Sequence, residues 1–387
     1  MKILFITMRK ILPLNDGAFI YTYGVLRYLH EIGAELTFVS FYDSKDYSEQ
    51  EKSKLKEICS DVYSVKLWFK NTALNISLKY PNNIRKYTRR NMVKMLKDIK
   101  RNVNFDIVII DHLQMSEYAK LFPDSKIVLI EHNIESNIWF EYARKCGGLK
   151  KILVNRSAKK TEQYEKKFVN TVNSVISIAD TDARFLKQMS NRKDIVVMHP
   201  YNVYDIIKTS DDILNVDRSI LFIGSYGWYP NQKAAQYLAE EIMPELRKRV
   251  KGIKLYLVGK EPTEEIQKYG KNNEDIIVTG LVDSIDPYIK KCDVFVNAMF
   301  EGSGMNIKMI EAMGKGIPII TSIYGSRGIN IKSGEEALIF SNTEECIDQI
   351  IDIISDRQKA KKLSNNARRF YKKFIQPDNC VKSIFDV

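Results

Sequence analysis

One stretch of the chain, residues 300–322, combines more structural signals than any other. Its sequence is FEGSGMNIKMIEAMGKGIPIITS. Met305, Met309 and Met313 recur every four residues, which is typical of the apolar face of a helix. Gly316 then ends that helix, and the isoleucines that follow predict a buried strand. The stretch therefore predicts a glycine loop, a helix and a strand in succession.

The loop and helix of this stretch have the residues of an anion site. A glycine loop that leads into a helix presents free N–H groups and the positive end of the helix dipole, which together hold a phosphate. Lys308 adds a positive charge in the first turn, and Glu311 can accept two hydrogen bonds from a diol such as ribose. Glu301 ends the preceding strand, where open α/β sheets bind ligands. We interpret this as a nucleotide-phosphate site; the alternative is a structural turn with solvated charges.

The rest of the chain alternates β-branched runs with amphipathic segments, which is the pattern of parallel α/β sheets. A length of 387 residues suits two domains. A polar run, Lys208 to Arg218, separates two such series. We therefore expect one domain at residues 1–205 and a second at 206–375.

Two histidines follow two predicted strands of the first series. His112 comes directly after Asp111 at the end of the strand Asp106–Ile110, and His132 follows the strand Lys126–Ile130. The carboxyl ends of parallel strands meet at one edge of a sheet, where ligands bind. We therefore expect the two histidines to line one crevice.

A DxD triplet, Asp180-Thr181-Asp182, follows the predicted strand Ser174–Ile178. Such a triplet can hold a divalent metal. Here it opens a helix, which favours Asp180 or Thr181 as the N-cap residue. Because the sequence offers no other acidic ligand pair, we expect no metal requirement.

The segment Lys66–Arg101 carries eleven basic residues against one acid, Asp98, with aromatic residues interleaved. Such a segment could lie on an anionic membrane with its aromatic rings at the headgroup level. It could equally be an amphipathic helix with a solvated basic face. Nucleic-acid binding is disfavoured, because no recognised nucleic-acid module accompanies the charge.

The composition of the chain indicates the charge of its partner and the compartment in which the protein works. The net charge of +12 suggests an anionic partner such as a nucleotide or a phospholipid surface. The five cysteines are scattered without a CxxC pair, which favours a reducing compartment over disulfides or a zinc site. No window approaches the ~18 apolar residues of a membrane span, and MKILFITMRK does not have the shape of a signal peptide. We expect a cytoplasmic protein that can also associate peripherally with the inner face of the cell membrane.

Nearly the whole chain resembles the retaining glycosyltransferases of family 4. The resemblance is strongest in FIGSYGWYPNQKAAQYLAEEIMPELRK, LYLVGKEP, VTGLVDSIDPYIKKCDVFV and EGSGMNIKMIEAMGKGIPIITS, the last of which carries a GSGxxxKxxEAM-type donor motif. In the first half, NDGAF looks like a glycine loop that faces the donor phosphates. DHLQMSEYA and EHNIES look like acceptor-side strand ends, and HPYNV is similar to the family's segment entering the linker.

The resemblance implies the GT-B fold, in which two Rossmann-like α/β domains face each other across a cleft. The last segment, 376–387, would pack back on the N-terminal domain. The implied reaction moves a sugar from a UDP- or GDP-linked donor to a glycan, lipid-linked or protein-linked acceptor. It would proceed with retention and without a metal or other cofactor, in surface polysaccharide or glycoconjugate synthesis.

The resemblance also implies roles for residues. Glu311 matches the acid that binds the nucleotide ribose, His112 the histidine beside the donor sugar, and Gly17 the phosphate-facing glycine. The implied catalytic residues are His112, Glu301 and Lys308. The implied nucleotide-sugar-binding residues are Gly17, Gly224, Ser225, Asn231, Lys233, Gly302, Ser303, Gly304, Met305, Asn306 and Glu311.

The sequence departs from the family at one important place. Many members use an Arg and a Lys, about five or six residues apart, to hold the pyrophosphate. Here Ser225 and Asn231 stand at roughly those positions with Lys233 nearby, and Lys308 is expected to supply the missing charge. The missing pair keeps a non-catalytic GT-B binding protein open as an alternative. A nucleotide-sugar epimerase on the same fold is another.

Overall fold

A computed structural model describes residues 1–14, 17–68, 80–201, 218–301, 306–376 and 379–385. The chain forms two compact units. The first unit comprises Met1–Val203 and Pro377–Val387, and the second comprises Tyr204–Gln376. The predicted linker lies outside the described residues except for Arg218.

The first unit is built on a seven-stranded parallel sheet with the strand order β3-β2-β1-β4-β5-β6-β7. Its strands are β1 (Lys2–Thr7), β2 (Glu35–Tyr42), β3 (Asp61–Lys66), β4 (Ile107–Asp111), β5 (Lys126–Glu131), β6 (Ser174–Ser177) and β7 (Val196–Val197). The central strands are apolar almost throughout because helices cover both faces of a parallel sheet. The strand order reverses between β1 and β4, which opens a crevice at their carboxyl ends.

The helices of the first unit surround this sheet. They are α1 (Gly17–Glu31), α2 (Glu49–Lys56), α3 (Asn82–Tyr87), α4 (Arg90–Asn102), a 3₁₀ segment (Leu113–Leu121), α5 (Glu135–Arg144), α6 (Gly148–Thr171), α7 (Asp180–Ser190) and, at the end of the chain, α15 (Asn379–Phe385). The last helix packs on this unit, since Lys126 Nζ donates to the carbonyl of Ile384 at 2.7 Å. The ring of Phe385 also meets that of Tyr28, with centroids 6.1 Å apart.

The second unit repeats the plan with a six-stranded parallel sheet in the order β10-β9-β8-β11-β12-β13. Its strands are β8 (Ser219–Ile223), β9 (Lys254–Val258), β10 (Ile276–Gly280), β11 (Val294–Asn297), β12 (Ile319–Ser322) and β13 (Leu338–Phe340). Its helices are α8 (Tyr229–Tyr237), a π segment (Leu238–Ile242), α9 (Met243–Arg249), α10 (Glu264–Asn272), α11 (Asp286–Lys291), α12 (Ile307–Lys315), α13 (Thr343–Ser355) and α14 (Arg357–Phe374). The strand order reverses between β8 and β11.

Helix α12 is the helix predicted from the methionine spacing. Met309 and Met313 are fully buried, as the apolar face requires, whereas Met305 lies outside the described residues. The helix starts two residues later than that spacing suggests, at Ile307 after Asn306. It ends at Gly316, whose φ of 72° is the left-handed conformation that favours glycine.

The predicted N-cap at the DxD triplet is wrong. Ala179 is the N-cap of α7, with extended φ and ψ, and Asp180 is already the first helical residue. Asp180 and Asp182 therefore lie in the first turn, where carboxylates interact favourably with the positive end of the helix dipole.

The described part of the basic segment comprises residues 66–68 and 80–101. Helix α4 buries Met92, Leu96 and Ile99 in the core and leaves its charged residues outside. Among the described residues, no helix is both long enough and apolar enough to span a membrane.

Candidate functional site

The loop after β8 is held by Asn231 in the first turn of α8. The amide Nδ2 of this buried side chain donates to the carbonyl oxygen of Ser225 at 2.7 Å. A Cβ atom at Gly224 would lie 2.8 Å from Asn231 Cγ, which is closer than real Cβ contacts. Gly224 therefore lacks a side chain so that Asn231 can pack against the loop.

Lys308 in the first turn of α12 meets this loop. Its ammonium donates to Asn231 Oδ1 at 2.5 Å and lies 3.9 Å from Met299 Sδ and 4.7 Å from the ring centroid of Phe222. Burial lowers the pKa of Lys308 to about 7, because no acidic side chain among the described residues offsets the loss of water. Within the described residues, the structure thus places a partly buried lysine with no acidic partner at the start of a helix.

Glu311 lies one turn further along α12. Burial raises its pKa to about 7, and the charge of Asp286 adds to this effect while that of Lys315 opposes it. Lys315 itself is paired with Asp286 by a short hydrogen bond. At neutral pH the Glu311 carboxyl is therefore close to its own titration point.

The loop between β11 and α12 is only partly described. Gly302, Ser303, Gly304 and Met305 lie outside the described residues, and Glu301 is the partly exposed residue that precedes them. Asn306 makes no side-chain cap for α12; its Nδ2 instead donates to the carbonyl of Gly325 at 2.9 Å.

Asn297, at the end of β11, binds the same backbone carbonyl as Asn306 does, that of Gly325. Its Nδ2 donates to the Gly325 carbonyl at 3.2 Å, and the Ser322 hydroxyl donates to the carbonyl of Met299. Sequence reasoning missed Asn297, although a buried amide at the end of the apolar run VFVN was a readable signal. These bonds fix the backbone on both sides of Glu301 and Lys308.

Two further predicted residues, Ser225 in the loop after β8 and Lys233 in α8, have other partners. Lys233 is exposed, and its ammonium donates to Gln236 Oε1 at 2.9 Å. Ser225 Oγ lies 3.5 Å from Glu261 Oε2. Lys308, rather than Lys233, is thus the lysine that the structure brings to Asn231.

The crevice of the first unit contains the two predicted histidines. The rings of His112 and His132 are stacked, with centroids 3.7 Å apart and an interplanar angle of 11°. His112 has a φ of 77°, an uncommon value for a residue with a side chain, which turns the chain sharply after β4. The expectation that the histidines meet at one strand edge is correct.

Asp111 holds this crevice together. Its Oδ2 accepts from Thr7 at 2.6 Å and Thr22 at 3.0 Å, and its Oδ1 accepts from His132 Nε2 at 2.7 Å. His112 Nδ1 lies 3.3 Å from Oδ2. The imidazoles hold the pKa of this buried carboxyl well below its usual range despite its burial, which acts in the opposite direction. Burial also lowers the pKa of His132, so that ring is neutral near pH 7 and donates from Nε2.

Asp111, His112 and His132 are also the one described group whose potential ligand atoms lie within 4.8 Å of one another. The Asp111 oxygens already accept hydrogen bonds from two hydroxyls and an imidazole. We therefore assign no metal to this cluster.

Gly17, the predicted phosphate-facing glycine, is the first residue of α1 in the same unit. Residues 15 and 16, which precede it, lie outside the described residues.

Residues 217–356, which include the Asn231–Lys308 pair, match the family model described as "Glycosyl transferases group 1". The match lies within the second unit and covers most of it. The chain is also 23% identical, over 96% of both proteins, to an "Uncharacterized 44.6 kDa protein in cps region" of Klebsiella pneumoniae.

Solved glycosyltransferase structures share the whole fold. Sucrose-phosphate synthase from Thermosynechococcus elongatus has a TM-score of 0.69 at 14% identity, covering 100% of this chain and 97% of that one. Anabaena HepE in complex with UDP-glucose has a TM-score of 0.66 at 14% identity, covering 100% and 98%. At these identities the likeness shows the fold alone. The predicted GT-B fold of two Rossmann-like α/β domains is confirmed.

Proposed function

We propose that the protein is a glycosyltransferase of the hexosyltransferase type that uses a nucleotide-diphosphate sugar as donor. The observation that carries the proposal is the buried ammonium of Lys308, fixed by Asn231 at the start of α12 within the matched domain. A diphosphate would supply the negative charge that this cation lacks. The nucleotide is UDP or GDP; the Anabaena neighbour was solved in complex with UDP-glucose.

In the proposed donor site, successive residues along α12 bind successive parts of the nucleotide sugar. The free N–H groups of its first turn and the Lys308 ammonium would hold the diphosphate. Glu311, one turn on, would accept hydrogen bonds from the ribose hydroxyls. Glu301 and residues 302–305 would meet the donor sugar, with Gly224 and Ser225 beside the phosphates. For Gly17 we propose the phosphate-facing role that the family resemblance implies.

The chemistry then requires little beyond electrostatics. Glycosyl transfer passes through an oxocarbenium-like state while negative charge builds on the leaving diphosphate. Lys308 and the helix N–H groups would stabilise that charge, so we propose a reaction that needs no divalent metal. Retention of the anomeric configuration is proposed from the family resemblance alone. His112, oriented by the Asp111 network, would hydrogen-bond the donor sugar.

We propose that the acceptor is a glycan, a lipid-linked sugar or a protein-linked sugar in surface polysaccharide or glycoconjugate synthesis. The relative encoded in a cps region of Klebsiella pneumoniae supports this pathway. We further propose a cytoplasmic enzyme whose Lys66–Arg101 segment faces the anionic inner surface of the membrane. Because α4 buries its apolar residues, such a contact would be mainly electrostatic.

The replacement of a family lysine by Asn231 favours a second candidate, a GT-B protein that binds nucleotide sugars without turnover. Saturation-transfer NMR against a panel of UDP- and GDP-sugars, with sugar release followed in the same samples, distinguishes the two. We expect binding and slow hydrolysis that persist in EDTA. Binding without turnover would support the non-catalytic protein, release of an epimerised sugar would indicate an epimerase, and activity that EDTA abolishes and Mn²⁺ restores would refute metal independence.

A further inference from the structure

A corner of the first unit exposes several large apolar side chains. On α6, Leu149, Ile152 and Leu153 are 80%, 52% and 61% exposed, and their spacing places them on one face of the helix. On α5, Ile138 and Tyr142 are also exposed and lie one turn apart. We name these five residues, with the basic residues between 144 and 160, the α5–α6 corner.

The two helices present these side chains as one surface. Lys150, next to Leu149 on α6, holds its ammonium 5.4 Å from the ring centroid of Tyr142 on α5. Tyr142 in turn meets the ring of Trp139, with centroids 6.4 Å apart. Single exposed apolar residues are ordinary, but a contiguous group marks a site of interaction.

The fold does not need these side chains. The opposite face of α6 buries Ala158, Thr161, Glu165 and Val169. Glu165 also accepts hydrogen bonds from the backbone N–H of Glu135 at 2.7 Å and from the Ser136 hydroxyl at 2.5 Å, at the start of α5. The buried face of α6 and the Glu165 hydrogen bonds therefore hold the two helices in place. The exposed apolar side chains on the opposite face of α6 are accessible to a partner.

The charge of the corner identifies that partner. Residues 138–160 contain one acid, Glu141, and seven basic residues: Arg144, Lys145, Lys150, Lys151, Arg156, Lys159 and Lys160. Basic side chains around exposed aliphatic and aromatic ones are typical of surfaces that lie in the headgroup region of anionic membranes.

We propose that the α5–α6 corner docks the first unit on an anionic phospholipid surface. Leu149, Ile152 and Leu153 would enter the boundary between headgroups and acyl chains, and the surrounding lysines and arginines would meet lipid phosphates. A second copy of the chain is disfavoured, because a two-fold interface would place the same basic patch against itself.

This surface differs from the Lys66–Arg101 segment in its chemistry. In that segment α4 buries its apolar residues, and Trp68 is the one large apolar side chain that the described residues expose, whereas the corner exposes five. The α5–α6 corner offers apolar insertion as well, so part of its binding should survive screening by salt. The inference does not depend on the proposed donor site, because none of the corner residues has a role in that site.

Vesicle sedimentation with the full chain tests the proposal. Wild type should sediment with phosphatidylcholine–phosphatidylglycerol vesicles and much less with phosphatidylcholine alone. The variant L149S/I152S/L153S should bind the anionic vesicles at least about tenfold more weakly, since three aliphatic side chains no longer enter the lipid. K150S/K151S should weaken binding at low salt more than at high salt.

Ile32→Ser is the matched control, because Ile32 is also exposed in the first unit but lies outside the corner. It should bind vesicles as wild type does, and circular dichroism should show that every variant is folded. Unchanged vesicle binding by L149S/I152S/L153S would overturn the proposal. If that variant instead dissociates a dimer seen by light scattering, the corner is a contact between copies and the membrane assignment is wrong. Retained nucleotide-sugar binding by the triple variant would show that loss of docking is separate from the donor site.

Discussion

Lys308 and Asn231 are joined by a hydrogen bond of 2.5 Å between the ammonium and the side-chain amide oxygen. Asn231 is itself fixed by its bond to the Ser225 carbonyl, so the position of the ammonium is set before any ligand arrives. The partner is neutral, and burial therefore brings the pKa of Lys308 down to about 7. A diphosphate bound here would restore that pKa towards its ordinary value.

The first prediction concerns Lys308→Met. The variant keeps the apolar stem but loses the charge, so nucleotide-sugar affinity should fall by about 1.5–3 kcal/mol, the value of a hydrogen bond to a charged group. Isothermal titration calorimetry with the best donor from the NMR panel measures this. Lys271→Met, at an exposed lysine near the end of α10, is the control and should bind as wild type does. Equal affinity in both variants would remove Lys308 from the donor site.

A second prediction concerns Glu311→Ala, which removes the proposed acceptor for the ribose hydroxyls. Affinity for the free nucleotide should fall by roughly 1.5–3 kcal/mol, because one charge-assisted pair is lost. A competition titration between the nucleotide and its 2′,3′-dideoxy analogue isolates the ribose contribution. Wild type should prefer the hydroxylated form and Glu311→Ala should not. A preference that persists in the variant would contradict the ribose assignment.

The third prediction is that nucleotide-sugar affinity has a maximum near pH 7. Burial raises the pKa of Glu311 to about 7, so below that pH the carboxyl gains a proton and accepts hydrogen bonds less well. Lys308, whose pKa is lowered to about 7, loses its charge above that pH. Ligand binding should lower the first pKa and raise the second, so affinity declines on both sides.

Variants separate the two limbs of this profile. Lys308→Met should remove the alkaline limb and Glu311→Gln the acidic one, and affinities measured across the pH range should show both changes. The ligand should be a nucleotide sugar, because its diphosphate is esterified at both ends and keeps its charge in this range. A wild-type profile that is flat, or that Lys308→Met leaves unchanged, would contradict the assignment of these pKa values to binding.

The fourth prediction concerns Gly224→Ala. The added Cβ would lie 2.8 Å from Asn231 Cγ, so we expect Asn231 to move and its bond to Lys308 to be disturbed. We expect a loss of about 1–3 kcal/mol in the free energy of unfolding, typical of overpacking, together with weaker nucleotide-sugar binding. Gly147→Ala is the control, since a Cβ there meets nothing within 4 Å. If Gly224→Ala binds and unfolds as wild type does, the loop is less tightly packed than the structure indicates.

The sequence predicted structure correctly where a pattern of neighbouring residues, or a general rule for parallel strands, determines it. The methionine spacing and Gly316 predicted most of α12, and the parallel-strand rule correctly brought His112 and His132 together. It failed where distant residues decide the geometry. Asn306, the residue before α12, bonds to Gly325, nineteen residues away, and no local pattern encodes that contact.

The same limit applies to the candidate site. Lys308 and Asn231 are separated by 77 positions, so the sequence could suggest a compensating charge but not a hydrogen bond. Periodicity also cannot tell a buried face from an exposed one. The apolar spacing of Leu149, Ile152 and Leu153 resembles that of a core helix, and only the packed structure shows that solvent covers it.

The last prediction concerns Asp111, which links β1, α1 and the two histidines. Thr7 and Thr22 both donate to Oδ2, and His132 donates to Oδ1. Asp111→Asn keeps the shape but turns one acceptor atom into a donor, so at least one of these donors loses its partner. We expect a loss of about 1–3 kcal/mol in the free energy of unfolding, measured by urea denaturation.

The pH dependence of this loss follows from the lowered pKa of Asp111. A carboxyl whose folded pKa lies below its unfolded value of about 3.9 contributes its full stabilisation above that value and loses it as pH falls towards the folded pKa. The difference between wild type and Asp111→Asn should therefore be constant near neutrality and shrink only in acid. Asp124→Asn, at a carboxylate with a 91% exposed side chain, is the control and should match wild type throughout. If Asp111→Asn unfolds at the wild-type urea midpoint near pH 7, the Asp111 network does not hold the crevice together.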